Sequence, residues 1–226
     1  MSFIRYDAPV QVLAVVSGHA FDRNAFAAMF ESFDDVAISF LDQPAAQYAI
    51  AAGAMVDYDV LLLFDIAGID LVRAINRKPP RLIDPMPAFK QAMRDILSAG
   101  TGVLALHHAL ASWPSWPDYG DWLGGRFLYL SAPVRGATAL DSGYRHDVSY
   151  DAVVAAADHP VTAGLPPRFA LRDELYLAEI FTDDITPLLR ADYDFSKHNF
   201  YSAEAVVRHG RMHDNQGWDH DPGSNA

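Results

Sequence analysis

The sequence predicts an α/β protein, a three-layer αβα sandwich built around a mostly parallel central sheet. Three observations carry this expectation. Continuous apolar runs recur at residues 12–16, 60–64 and 102–106, the pattern of strands covered on both faces. Stretches with apolar residues at helical spacing separate them, so strands and helices alternate and right-handed crossovers make the strands parallel. Each run also ends in polar residues, Ser17-Gly18-His19, Asp65 and His107-His108, where the carboxyl ends of such a sheet open onto loops.

The elements follow in order. Val12-Leu13-Ala14-Val15-Val16 is a strand stopped by Ser17-Gly18-His19. Asn24 is placed to cap a helix over 25–33, in which Phe26, Met29, Phe30 and Phe33 share one face. Residues 36–41 alternate as a second strand, residues 45–56 read as an Ala-rich helix, and residues 58–65 form a third strand. The stretch 66–87 turns to Gly, Pro and basic residues, a surface excursion. A helix over 88–99 stops at Gly100, as a glycine cap would make it. Residues 102–106 are a further buried strand, and the apolar stretches 12–16, 60–64 and 103–106 are all expected in the sheet interior. Ser112-Trp113-Pro114-Ser115-Trp116-Pro117 cannot be helix interior, residues 119–123 make a turn or two of helix, and residues 147–155 return as a strand. No repeat or linker is visible, so one domain over 1–226 is expected. Within it 192–226 is an atypical segment, with the polar stretch 215–226 a frayed or cut end.

Composition narrows the classes of function. The 226 residues are 51% hydrophobic and 20% charged, enough to bury a core. Seventeen basic against 29 acidic residues leave a net charge of −12, which repels a phosphate backbone and argues against a nucleic-acid partner. The absence of cysteine removes disulfides, Cys-ligated metals and any thiol nucleophile. No run approaches the roughly 18 apolar residues of a membrane span, and no signal-peptide core stands at the start, so a soluble cytoplasmic protein is expected. A homo-oligomer is left open.

Chemistry is expected where the strands end, at His19, Asp65, His107 and His108. His107 and His108 are adjacent, so an extended backbone would aim them at opposite faces. Trp113, Trp116, Tyr119 and Trp122 follow closely. They are suited to stacking on a sugar ring, and equally to packing a long loop. In Arg172-Asp173-Glu174-Leu175-Tyr176 one carboxylate could serve as a base or metal ligand while the other pairs with Arg172. His198, His209, His213 and His220 lack the regular spacing of a zinc motif.

Taken together, these pieces carry a family resemblance. The ordered set is the 12–16 strand with Ser17-Gly18-His19, the 58–65 strand, Gly100 to Ala109 with its His107-His108, and Trp116 through Gly124-Gly125-Arg126-Phe127. It continues with His159-Pro160-Val161-Thr162-Ala163-Gly164-Leu165 and Asp173-Glu174-Leu175-Tyr176. In this order and spacing the sequence resembles the ThuA-like (trehalose utilisation) family over most of residues 11–180. The resemblance implies a flavodoxin-like sandwich related to class I glutamine amidotransferases but without their activity. Their cysteine stands in the sharp turn after the strand corresponding to 103–106, and that turn here holds His107-His108. It also implies a part in the breakdown of disaccharides, including 3-keto derivatives. Carried over by position, His19, His107, His108, Asp173 and Glu174 match the motifs around the family's site. The usual closing strand survives at most as Gly210-Arg211-Met212, and the segment 192–218 departs from the family pattern.

The first reading is therefore an enzyme of sugar-derivative chemistry, a hydrolase or lyase. His19, His107, His108 and Glu174 are its catalytic candidates, and Asp65, Trp113, Trp116 and Asp173 its candidates for holding a small sugar-like ligand. His19, His107 or His108, and Asp173 or Glu174 are expected to line one cavity. The alternatives are a non-catalytic sugar-binding module that keeps the fold, and a metal-dependent hydrolase. In the last, two or three of His19, His107, His108, Asp65 and Glu174 hold a divalent cation. No organic cofactor is implied.

Overall fold

The computed structural model describes residues 7–76, 78, 81–216 and 218. They divide into two compact units. The first holds the described residues up to Ile69 together with Leu82–Trp116, and the second those of 70–81 and from Pro117 onward.

The first unit begins β1 (Val10–Ser17), α1 (Arg23–Glu31), β2 (Val36–Asp42), α2 (Ala45–Ala51), β3 (Val60–Asp65). After α3 (Leu71–Ile75), which belongs to the second unit, it resumes with α4 (Pro87–Ser98) and β4 (Gly102–Ala105). The four strands are parallel in the order β2-β1-β3-β4. That order dictates where the helices go. The step from β1 to β2 runs one way across the sheet, and the steps to β3 and β4 run the other way. Right-handed crossovers then put α1 on one face and α2 with α4 on the opposite one. Packing agrees: Phe26 and Phe30 of α1 cluster with Val12, Ala14, Val16 and Leu62, while α2 and α4 pack on each other. Leu13, Val15, Leu61 and Leu63 alternate to the second face and are also buried. Each contributes about 1.5–3 kcal/mol by leaving water. This is the α/β arrangement expected, a parallel sheet flanked by helices.

Three details differ from expectation. The cap of α1 is Asp22, whose Oδ1 accepts from the backbone N–H groups of Asn24 (3.0 Å) and Ala25 (2.9 Å). The 45–56 helix breaks at Gly53, with φ at +91°, and resumes as a 3₁₀ turn over Ala54–Asp57. β4 is not an interior strand. It is the edge of the sheet among the described residues, and Leu104 is 45% exposed. The chain leaves β4 into a 3₁₀ turn, His107–Ala111, rather than crossing to a further strand on that side.

In the second unit α5 (Pro117–Leu123) leads into β5 (Gly125–Arg126) and the hairpin β6 (Ala132–Val134) and β7 (Ala137–Ala139). Then come β8 (Gly143–Val154), β9 (Arg168–Leu177), β10 (Glu179–Ile180), β11 (Leu189–Asp192), β12 (Tyr201–Ser202) and α6 (Ala203–His209). The long β8 is the spine, antiparallel to β9, β11 and β12, and β10 pairs with β5. Its register with β9 shifts between Arg145 and Val148, where Asp147 has φ at +59°. Gly210, with φ at +61°, caps α6, so Gly210-Arg211-Met212 ends a helix and begins no strand. The expected frayed end is corrected as far as Trp218. Its indole is buried with Leu177 and Phe200 and donates from Nε1 to Asp141 Oδ1 at 2.9 Å. Residues 219–226, His220 among them, lie outside the described residues. No helix among the described residues is long and apolar enough to cross a membrane.

Candidate functional site

In the first unit, neighbouring strands β1 and β3 send their connections in opposite directions, and ligands of open parallel sheets bind beyond the carboxyl ends at such a switch point. Ser17 (φ +115°) and Gly18 (φ +92°) both turn left-handed there. A Cβ on Gly18 would stand 2.1 Å from the Ile66 carbonyl oxygen, so only glycine lets the loop after β1 pass the end of β3. Ile66 N–H donates to Ser17 O at 2.9 Å and holds the two ends together. This turn delivers His19. Its ring meets Phe64 edge-on at 4.7 Å, with Nε2 3.3 Å from Phe64 O and Nδ1 3.4 Å from Ala20 O. A neutral imidazole can donate to one of the two.

At the end of β4, Leu106 N–H still donates to Leu63 O at 2.9 Å, and the chain then turns sharply at His107, with φ at +35°. A non-glycine residue held in the left-handed region stores of the order of 1–3 kcal/mol, and such strain gathers at functional sites. The turn also overrides the expectation that adjacent histidines diverge, since the rings of His107 and His108 lie 4.6 Å apart. The His108 ring is 3.9 Å from that of His19 and 5.7 Å from Phe64. Three imidazoles from two strand ends are thus brought together, those of His19 and His108 against Phe64.

Asp65 is not brought to them. Alternation along β3 turns it to the face opposite Phe64, where it is 1% exposed. Its Oδ2 accepts from Gln43 Nε2 at 3.0 Å, and its Oδ1 and Gln43 Oε1 have no hydrogen-bond partner among the described residues. Burial outweighs the Gln43 hydrogen bond and pushes the carboxyl up to about 7. Ser112 steadies this strand end, donating from Oγ to Asp65 O (2.7 Å) and accepting from Ala67 N–H (2.9 Å). Trp113 and Trp116 are buried, at 4% and 3% exposure, with rings 5.8 and 6.2 Å from that of Phe89 on α4. Of the two roles the sequence left open, they take loop packing. Gly68 admits this, since a Cβ there would lie 2.8 Å from Trp113 Cα.

In the second unit Asp173 and Glu174 lie on β9. Asp173 Oδ1 accepts from the Glu174 N–H at 2.8 Å. Arg172 pairs with neither carboxylate. It grips Asp147 through two hydrogen bonds of 2.5 and 2.8 Å. Glu174 Oε1 lies 3.1 Å from His146 Nδ1. Sequence reasoning passed over His146, because its place in the register shift hides it from strand periodicity. Burial first, and then the Glu174 carboxylate, hold the Tyr176 phenol far above its ordinary range. Of the remaining histidines, His198 Nε2 is 2.9 Å from Ser196 Oγ, His159 Nδ1 accepts from Val161 N–H at 3.2 Å, and the His213 ring lies 4.9 Å from that of Tyr201. Within the first unit, His107 and His108 have the right chemistry for a divalent cation.

Among solved structures, the chain is similar to a ThuA-like protein from Bacteroides uniformis ATCC 8492, at 16% identity and a TM-score of 0.58, covering 87% of this chain and 75% of that one. It is similar to a ThuA-like protein from Parabacteroides merdae ATCC 43184 at 12% identity and a TM-score of 0.52, covering 86% of this chain and 68% of that one. At these identities the likeness is one of fold. No curated protein matches the sequence. The family model for ThuA, trehalose utilisation, matches residues 18–219. It therefore includes the 192–218 segment that the sequence had set apart as atypical, and the chain belongs to the ThuA family.

Proposed function

We propose that this ThuA-family chain acts on a carbohydrate-like substrate of the 3-keto-disaccharide type by acid–base proton transfer. His19, His107 and His108 in the first unit and Glu174 in the second are its catalytic groups. The observation that carries the proposal is the cluster of three imidazoles at the switch point, one of them in a strained turn, in a chain without cysteine. Thiol acyl transfer is closed to such a chain, while imidazole and carboxylate are the side chains best suited to moving protons near neutral pH.

The chemistry needs no co-reactant. A ketone at C3 of a glycosyl unit acidifies the hydrogen on C2. A base takes that proton, and the C–H electron pair becomes the C1–C2 double bond as the C1–O glycosidic bond breaks. An acid gives a proton to the departing oxygen. The products are an unsaturated keto sugar and a free alcohol.

The test is turnover on a panel of oxidised and unoxidised disaccharides, followed by His107→Ala, His108→Ala and Glu174→Gln on whichever compound is converted. General acid–base assistance typically contributes roughly 10² to 10⁴ in rate, so loss of a true base or acid lowers kcat by about that factor. Full activity in all three variants rejects the proposal. Reversible binding without turnover favours a sugar-binding module, and stoichiometric divalent metal in the purified, active protein favours a metal-dependent hydrolase.

A further inference from the structure

Glu174 is set among partners that suit a positioning carboxylate better than a free base. Its side chain is 13% exposed, against 52% for that of His146, whose Nδ1 is 3.1 Å away. The half-buried Tyr176 hydroxyl, held protonated, hydrogen-bonds the same carboxylate. A carboxylate that accepts from Nδ1–H fixes an imidazole in the tautomer whose Nε2 carries a lone pair, and it favours the imidazolium that forms when Nε2 takes a proton. The more exposed member of the pair is then the group able to meet a ligand.

The backbone is built to present that histidine. β8 and β9 run in register from Gly143 opposite Leu177 to Arg145 opposite Leu175, and resume with Val148 opposite Asp173. Two residues of β8, His146 and Asp147, thus stand against the single Glu174 of β9 and form a bulge, a device that re-aims side chains beside active sites. Asp147 sits at φ +59°, and the bidentate grip of Arg172 from the facing strand holds it there. The rings of Tyr144 and His213 lie edge-on to the imidazole, with centroids at 5.2 and 6.3 Å.

We propose that His146 is a further catalytic residue, a general acid–base acting through Nε2, with Glu174 as its positioning residue and Tyr176 as the support behind Glu174. The inference rests on the proton-transfer reading above and changes the part of Glu174 within it. When His146 acts as base, Nε2 takes the proton from the carbon beside the keto group, the N–H bond forms as the C–H bond breaks, and Glu174 stabilises the resulting imidazolium.

Two measurements on the full chain test it. The first reads the tautomer of His146 by ¹⁵N NMR of the histidine rings at about pH 8.5, where an ordinary imidazole is neutral. The Nδ1–H form is expected in the wild type and the Nε2–H form, the usual preference in water, in Glu174→Ala. A wild-type His146 in the Nε2–H form overturns the proposal whatever the substrate proves to be. The second reads turnover. His146→Gln should lose roughly 10² to 10⁴ in kcat with little change in KM, and added imidazole should restore part of the activity of His146→Gly. If the wild type converts a 3-keto disaccharide and His146→Gln converts it equally well, His146 is not the proton carrier, although the proposed function stands. If the wild type converts no oxidised disaccharide, the proposed function fails, and the NMR measurement still decides the pairing of His146 with Glu174.

Discussion

The imidazole of His108 stands 3.9 Å, centroid to centroid, from that of His19, although they follow strands that are not neighbours. β3 runs between β1 and β4, and its Phe64 lies 4.7 Å from the first ring and 5.7 Å from the second. Rings this close constrain each other's orientation, so the two histidines are expected to act as one unit. On a converted substrate, His19→Ala and His108→Ala should each lower kcat by roughly 10² to 10⁴. The double variant should be little worse than the poorer single one, because groups that serve one step are far from additive. Fully multiplicative losses would mean that they serve separate steps.

Gly18 and Gly53 offer a controlled comparison of backbone strain and steric fit. Their φ values are +92° and +91°. A Cβ at Gly53 meets nothing within 4 Å, whereas one at Gly18 lies 2.1 Å from Ile66 O. Gly53→Ala is expected to lose about 1–2 kcal/mol in urea unfolding, the left-handed penalty alone, with activity kept. Gly18→Ala should lose more, because β1 and β3 must part to admit the methyl group, and it should lose activity as His19 moves with its loop. Equal stabilities would show that the strand ends tolerate displacement.

The sheet was legible because β1 and β3 contain the uninterrupted apolar runs 12–16 and 60–64, which demand cover on both faces. The run at 102–106 looks the same in sequence, and nothing local reveals that β4 has a neighbour on one side only. That is a property of strand order, set by where the chain goes after His107. The three strand-end histidines were legible for the same reason as the sheet, whereas grouping Asp65 with them ignored the alternation that separates it from Phe64. His146 was illegible because a bulge has no periodic signature. Trp218 was illegible because a single aromatic in a polar stretch carries no pattern, and only the tertiary fold supplies Asp141 as its partner.

Asp65 makes stability depend on pH in an unusual direction. Its carboxyl titrates at about 7 in the fold against about 3.9 in an unfolded chain. Between these values the folded state holds one proton more than the unfolded state, so stability falls as pH rises. The contribution is complete below about pH 4 and lost above about pH 7, a change of the order of 4 kcal/mol at 1.36 kcal/mol per pH unit. Asp65→Asn keeps an acceptor for Gln43 Nε2 and cannot ionise. Its urea midpoint should therefore lack the part of the decline between pH 4 and 7 that the wild type shows. A decline of the same size in both proteins would mean that Asp65 is ionised in the fold and that other groups cause it.

Trp218 separates packing from hydrogen bonding in the second unit. The indole is buried beside Leu177 and Phe200, and its Nε1 supplies Asp141 Oδ1 with a donor at 2.9 Å. The other carboxylate oxygen, Oδ2, accepts from Ser202 Oγ at 2.6 Å and Glu204 N–H at 2.9 Å, so Asp141 ties the start of α6 to the chain before β8. Trp218→Phe retains most of the apolar contact and leaves Oδ1 without that donor, a loss of about 1–3 kcal/mol for a buried acceptor. Trp218→Ala adds the cavity and should lose about 3–5 kcal/mol. The difference between the two variants, read from urea midpoints, isolates packing. If Trp218→Ala unfolds at the wild-type midpoint, the indole is not part of the core, and the segment after α6 does not close it.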